Sequence, residues 1–160
     1  MAGRTQMRKA TLADLAAIKK WLRAERRRTG EGFYCNWNCI TRSFEYGELF
    51  VLPATRLGHS IVGFICMGDE GPDIVEVQPS KRGMGYGRQI AEWMIARAKR
   101  RGKRLIELQC APFTSLPFWE AMGFTYFKHG ICDARMILPP NAASRANERR
   151  HIDRIMAELE

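Results

Sequence analysis

Between Ile74 and Ala98 the chain passes from a short apolar run, Ile74-Val75-Glu76-Val77, through the ten residues "SKRGMGYGRQ" (80–89). It then enters a pattern with Ile90, Trp93, Met94 and Ala98 at helical spacing. Three glycines (Gly83, Gly85, Gly87) and three cations (Lys81, Arg82, Arg88) crowd this strand-to-helix junction. A strand, a glycine loop and a helix in that order aim several backbone N–H groups and the positive end of a helix dipole at one point, which is an anion site. Glycine allows close backbone approach and positive φ there. No Gly-Lys-Ser/Thr follows, so the loop is not a Walker loop. "GMGYG" also lacks the third glycine at the place a dinucleotide fingerprint requires, and the strands before it read as an antiparallel meander rather than a βαβ unit.

The elements around the loop alternate. "TQMRKA" (5–10) reads as a short strand. Thr11 with Asp14 three residues on has the pattern of a capping box, opening an amphipathic helix through Leu15, Ile18 and Leu22 to about Arg28. Residues 39–46 form a short helix candidate. "ELFVLPA" and "HSIVGFICMG" read as antiparallel strands with a turn near Thr55–Gly58. After "DIVEVQP" and the glycine loop, a helix runs to about Arg101 and stops at Gly102. "RLIELQC" is then expected parallel to residues 74–78, because a helix crosses between them. The short helix "PFWEAM" and the strands "FTYFK" and "CDARMIL" close the order β-α-(α)-β-β-β-α-β-α-β-β. The expected fold is α/β: a mixed, mostly antiparallel sheet with helices on both faces.

Charge narrows the partners. The 160 residues carry a formal net charge of +9. Residues 1–30 hold nine Lys/Arg against Asp14 and Glu25, and "RAKRRGKR" (97–104) holds six more with no acid. Residues 43–80 run the other way, with Glu45, Glu48, Asp69, Glu70, Asp73 and Glu76 against Arg56 alone. A basic frame around an acidic middle suits a polyanionic ligand and a cationic substrate; solvated helix faces are the plainer explanation of each run. No apolar run is long enough to cross a bilayer, so no membrane partner is expected. The five scattered cysteines and the absence of a signal peptide point to free thiols and a cytoplasmic protein.

"VEVQPSKRGMGYGRQIAEWMI" resembles the acyl-CoA-binding motif of the GNAT N-acetyltransferase superfamily, Gln/Arg-x-x-Gly-x-Gly/Ala after a strand ending in Val-x-Pro. Arg82, Gly85 and Gly87 match it, and Val77 and Pro79 stand at the strand end. "SLPFWEAMGF" is similar to the family's second signature, an aromatic pair, a short helix and Gly123-Phe124. The resemblance spans roughly residues 5–138, and it implies a GNAT domain over 1–138 followed by a helical tail, 139–160.

That resemblance implies acetyl-CoA as cosubstrate and a primary amine as acceptor, attacked directly with no covalent enzyme intermediate. The cofactor would lie along the backbone of Val75 and Val77, with the Val77 N–H donating to the thioester carbonyl. Its pyrophosphate would sit on Arg82, Gly83, Met84, Gly85, Tyr86, Gly87 and Arg88, and Ser115 and Phe118 would complete the cofactor site. Glu76 is the expected base, a charged residue inside an apolar strand, with Asp73 in reserve on the opposite strand parity. A surface ion pair is the structural alternative for Glu76. Two departures stand out. Trp119 occupies the place where relatives commonly carry a tyrosine that protonates the leaving thiolate, and Pro112 replaces an asparagine seven residues earlier.

"FYCNWNC" (33–39) falls where the family forms its acceptor loop, so Tyr34, Asn36 and Trp37 are expected to bind substrate, or else to staple the loop to the core. Cys35-x3-Cys39 and His129-x2-Cys132 lack the common knuckle spacings, so no metal is expected. Ile152, Ile155, Met156 and Leu159 recur at helical spacing in the tail, which is expected to dock on the body or on a second copy in a homodimer. Three classes stay open: an N-acetyltransferase whose acceptor is a small molecule or is carried on a macromolecule, an acyl-CoA-binding protein without turnover, and a basic nucleic-acid-binding module.

Overall fold

Thr11 fixes the start of the first helix. In the computed structural model, which describes residues 5–30, 33–56 and 60–159, its hydroxyl accepts from the Asp14 amide and the Asp14 carboxylate accepts from the Thr11 amide. This capping box opens α1 (Leu12–Thr29), and Gly30, at φ 70°, ends it. Ile18 and Leu22 face inward from α1, while Arg26, Arg27 and Arg28 complement the dipole in its last turn.

The chain divides into two units, Met1–Ile90 and Ala91–Glu160. In the first, β1 (Arg8–Lys9), β2 (Leu49–Pro53), β3 (Ile61–Met67) and β4 (Pro72–Val77) pair antiparallel in the order β1-β2-β3-β4. The turn expected near Thr55–Gly58 lies partly outside the described residues, at Leu57 and Gly58. β3 is buried along nearly its whole length, as a continuous apolar run in the middle of a sheet should be. The second helix is α2 (Trp37–Glu45), two residues earlier than the sequence pattern placed it, and a 3₁₀ turn, Phe33–Asn36, leads into it. Ile18, Leu22, Ile40, Leu49, Val51, Phe64 and Ile74 form the core of this unit. Each such side chain contributes about 1.5–3 kcal/mol when fully buried.

Gly63 interrupts β3 for a steric reason. A Cβ there would stand 2.8 Å from the Glu76 carbonyl oxygen and 2.8 Å from Ile90 Cδ1. The first turn of α3 (Tyr86–Arg100) therefore packs directly on backbone.

In the second unit, β5 (Leu105–Leu108), β7 (Cys132–Ile137) and β6 (Thr125–His129) pair antiparallel in the order β5-β7-β6, with α4 (Leu116–Ala121) between β5 and β6 in sequence. The splayed parallel pair expected from the sequence concerns β4 and β5, which are terminal members of their respective sheets.

The tail forms α5 (Ala142–Glu158), opened by a capping box between Asn141 and Ser144. It docks through its polar first turns. Asn141 Nδ2 donates to the Lys99 carbonyl at 2.9 Å, which also accepts from the Gly102 amide, and Asn147 Nδ2 donates to the Arg101 carbonyl at 3.0 Å, just past the end of α3. The apolar positions expected to dock, Ile152, Ile155, Met156 and Leu159, are exposed in this chain. They begin too far along α5 to reach the contact made by its N-terminal turns. Among the described residues no helix is long and apolar enough to cross a membrane, and the five cysteines are free thiols.

Gly102 makes the α3–α5 junction testable. At φ 71° it would place a Cβ 2.7 Å from the backbone of Ala143 and Ser144. Gly102→Ala should lower the urea-unfolding free energy by about 1–3 kcal/mol, the usual cost of overpacking. An unchanged midpoint would mean the junction yields freely.

Candidate active site

β4 alternates strictly: Pro72, Ile74 and Glu76 are buried, whereas Asp73 is exposed and Val75 and Val77 are half-buried. A register shift opposite Asp73, at Cys66/Met67, leaves that alternation intact, so Asp73 and Glu76 face opposite sides of the sheet. The hydrogen-bond phase matters as much. The Gln78 amide donates to the Val62 carbonyl at 2.8 Å. In an antiparallel ladder this makes 78, 76 and 74 the residues bonded to β3, and it turns the N–H and C=O groups of Val75 and Val77 toward the outer edge of β4. The Val77 carbonyl on that edge accepts from Arg82 Nε at 3.1 Å.

The glycine loop follows. Gly83 (φ 77°) and Gly85 (φ 86°) adopt the left-handed backbone that glycine allows, and a Cβ on either would meet nothing within 4 Å. The first intrahelical bond of α3 runs from the Gln89 amide to the Gly85 carbonyl. The amides of Tyr86, Gly87 and Arg88 therefore precede the ladder at the positive end of the helix. The loop has the open, donor-rich form that a phosphate requires.

Glu76 is the chemically distinctive group. Its side chain is 7% exposed, directly across from Phe64 of β3, and its carboxylate bonds Arg82 Nη2. The same Nη2 lies 3.2 Å from Glu25 Oε1 of α1, and Glu25 Oε2 accepts from Trp21 Nε1 at 3.1 Å. Burial pushes the Glu76 carboxyl up to about 7; the Arg82 guanidinium pulls the other way, and the Glu25 charge adds to the rise. Asp73, the reserve candidate, is also raised, by partial desolvation at its exposed position and by the Asp69 charge, but on the other face of the strand. Glu25 stands out in the sequence only as one of two acids in the first thirty residues, and nothing there ties it or Trp21 to this site.

Tyr34 and Trp37 stack at 6.3 Å and pack partly buried on the core. Arg23 and Arg26 lie 5.5 and 5.6 Å from the Tyr34 ring centre, and Lys19 lies 5.5 Å from that of Trp37. Asn36 sits at the N-cap position of α2, exposed and without a capping side-chain bond.

Comparison with known proteins gives the family of the domain that carries these residues. Residues 13–124 match the acetyltransferase (GNAT) family. The chain belongs to that family. A GNAT-family acetyltransferase from Listeria monocytogenes 4b F2365 aligns at TM-score 0.64 and 13% identity, over 86% of this chain and 98% of that one. One from Brucella melitensis, solved in complex with acetyl-CoA, aligns at 0.61 and 18%, over 86% and 90%. A transcriptional regulator from Bacillus halodurans C-125 aligns at 0.57 and 26%, over 79% and 96%. No curated protein matches the chain in sequence.

The second GNAT signature lies in the second unit. Ser115 ends a 3₁₀ turn before α4. The Phe118 ring is partly exposed and meets Trp119 edge-on at 4.9 Å. Trp119 is 6% exposed and also packs edge-on against Phe124, at 5.3 Å. It anchors an aromatic cluster with Phe118 and Phe124.

The raised Glu76 couples folding to pH. The folded carboxyl keeps its proton to a higher pH than the unfolded one, so its contribution to stability is full below about 4.5 and is lost as pH rises through about 7. Glu76→Gln removes that dependence. Urea unfolding of both proteins should show the variant gaining on the wild type between those two pH values, with the difference flat above them. A constant difference across the range would place Glu76 at its ordinary ionisation.

Proposed function

We propose that the chain transfers the acetyl group of acetyl-CoA to a primary amine by direct attack in a ternary complex. The observation that carries this reading is the buried Glu76 carboxyl, poised near neutral pH one residue from the edge amide of Val77. Acetyl-CoA supplies an activated thioester. The chain's own groups do the rest. The outward backbone of Val75 and Val77 pairs with the pantetheine amides as an added strand would, and the Val77 N–H stabilises charge on the thioester oxygen. The amides from Gly83 to Arg88 hold the pyrophosphate, with the Arg88 side chain beside them. Glu76, as carboxylate, takes the proton from the incoming ammonium through water and frees its lone pair for attack. The buried Trp119 offers no useful acid, so the thiolate leaves without a dedicated donor from that position.

The basic and aromatic face of α1 and its following turn favours an acceptor borne on an anionic carrier. Lys19, Arg23 and Arg26 line one side of α1 over the stacked rings of Tyr34 and Trp37, an arrangement suited to phosphate and base contacts.

Two measurements test the reading. Gly85→Asp sets a carboxylate into open space above the loop amides, at a backbone cost of about 1–2 kcal/mol. It should abolish CoA binding by calorimetry while the circular dichroism stays native. Retained micromolar binding would remove the pyrophosphate assignment.

Glu76→Gln should lower the acetylation rate at neutral pH by about 10²–10⁴-fold, with CoA affinity near wild type. The wild-type rate should fall as pH drops through about 7, where Glu76 takes up its proton. The variant should lose that limb and recover part of its rate at high pH, where the free amine needs no base. An unchanged pH–rate profile would pass the role to solvent.

A further inference from the structure

One cation in this site answers to two acids. Arg82 Nη2 bonds Glu76 and lies 3.2 Å from Glu25, while Arg82 Nε reaches the Val77 carbonyl at 3.1 Å. The carboxylates are 7% and 11% exposed, and the arginine is 51% exposed. Trp21 holds the far oxygen of Glu25, and its ring stands edge-on at 5.3 Å to Phe64, the β3 residue paired with Glu76. The contacts close a ring from β4 through Arg82 to α1, then through Trp21 to β3 and back to β4.

The charged groups that act on the Glu76 carboxyl are Arg82, from the loop after β4, and Glu25, from α1. β3 presents Phe64 to it, and Asp73 lies on the opposite face of β4. A single guanidinium cannot fully neutralise two buried carboxylates, because each ionised acid carries its own desolvation cost. Whatever share of Arg82 is held by Glu25 is withheld from Glu76, and the Glu25 charge repels the Glu76 carboxylate directly.

We propose that Glu25, through the shared Arg82, governs the ionisation of Glu76 and is a positioning residue for the site, with Trp21 fixing Glu25 in place. Only the kinetic consequence rests on the reading of Glu76 as the base; the electrostatic control stands or falls separately.

The test is the carbon-13 titration of the Glu76 side-chain carboxyl in the full chain, compared among wild type, Glu25→Gln and Arg82→Met. Glu25→Gln keeps the shape and an acceptor for Trp21, and it should lower the midpoint by about one pH unit. Arg82→Met removes the counter-ion and should raise it by about one unit or more. Should Arg82→Met not fold, Arg82→Lys keeps the charge without the fork and should give a smaller rise.

A merely structural role predicts otherwise. Loosening the site would admit water and lower the midpoint in both variants. Movement down in both, or no movement in Glu25→Gln, overturns the proposal. The acid limb of kcat/KM for a responsive amine should move with the titration. Opposite titration shifts with an unmoved kinetic limb would leave the control of Glu76 in place and remove Glu76 as the base.

Discussion

A carboxylate inside a sheet is the constraint around which the first unit is arranged. Glu76 occupies a position that alternation gives to the buried face, beside Ile74 and across from Phe64. Leaving an ionised acid there unpaired would cost several kcal/mol. The chain answers with an arginine six residues later, brought back by the turn after Pro79. Compensation is partial, because Arg82 is also drawn to Glu25 and to the Val77 carbonyl. A group fully neutralised would be a structural ion pair. One only partly neutralised keeps its carboxyl raised, to about 7.

The same strand performs two tasks because its two periodicities are independent. Side chains alternate across the sheet, while backbone groups alternate between the partner strand and the open side. At Glu76 the side chain is buried and the backbone is spent on β3. At Val75 and Val77 the side chains are half-buried and the backbone faces outward. An extended ligand can therefore pair with the backbone edge within one residue of a titrating acid. No loop is needed to bring the two together. Gly63 lets this happen in little space, since any larger residue would push the Glu76 carbonyl and Ile90 away from β3.

Much of this was legible from the residues. The strand–glycine–helix junction, the capping box at Thr11 and Asp14, and the singular charge of Glu76 are all local patterns, and local patterns are written in consecutive letters. The partners of Arg82 were not. The motif assigned that arginine to phosphate, and nothing in the sequence spacing brings Glu25, fifty-seven residues away, onto its Nη2. Trp21 and Glu25 do stand four apart on one helix face, so their contact was readable as a pair. Its meaning depended on what lay beneath α1. Trp119 shows the reverse case. Its chemistry was read as a missing acid, whereas its burial between Phe118 and Phe124 is a matter of volume. Likewise the tail's apolar spacing was plain, but its attachment runs through asparagines whose partners are backbone carbonyls with no sequence signature.

Those asparagines tie two distant stretches of chain into one cooperative event. The Lys99 carbonyl in the last turn of α3 and the Arg101 carbonyl just past it are covered by side chains that arrive some forty residues later, at Asn141 and Asn147. Fraying of α3 from that end must first release α5, and release of α5 uncovers α3. Amide protons near Lys99–Lys103 and those in the opening turn of α5 are thereby coupled, since opening either stretch breaks hydrogen bonds held by the other.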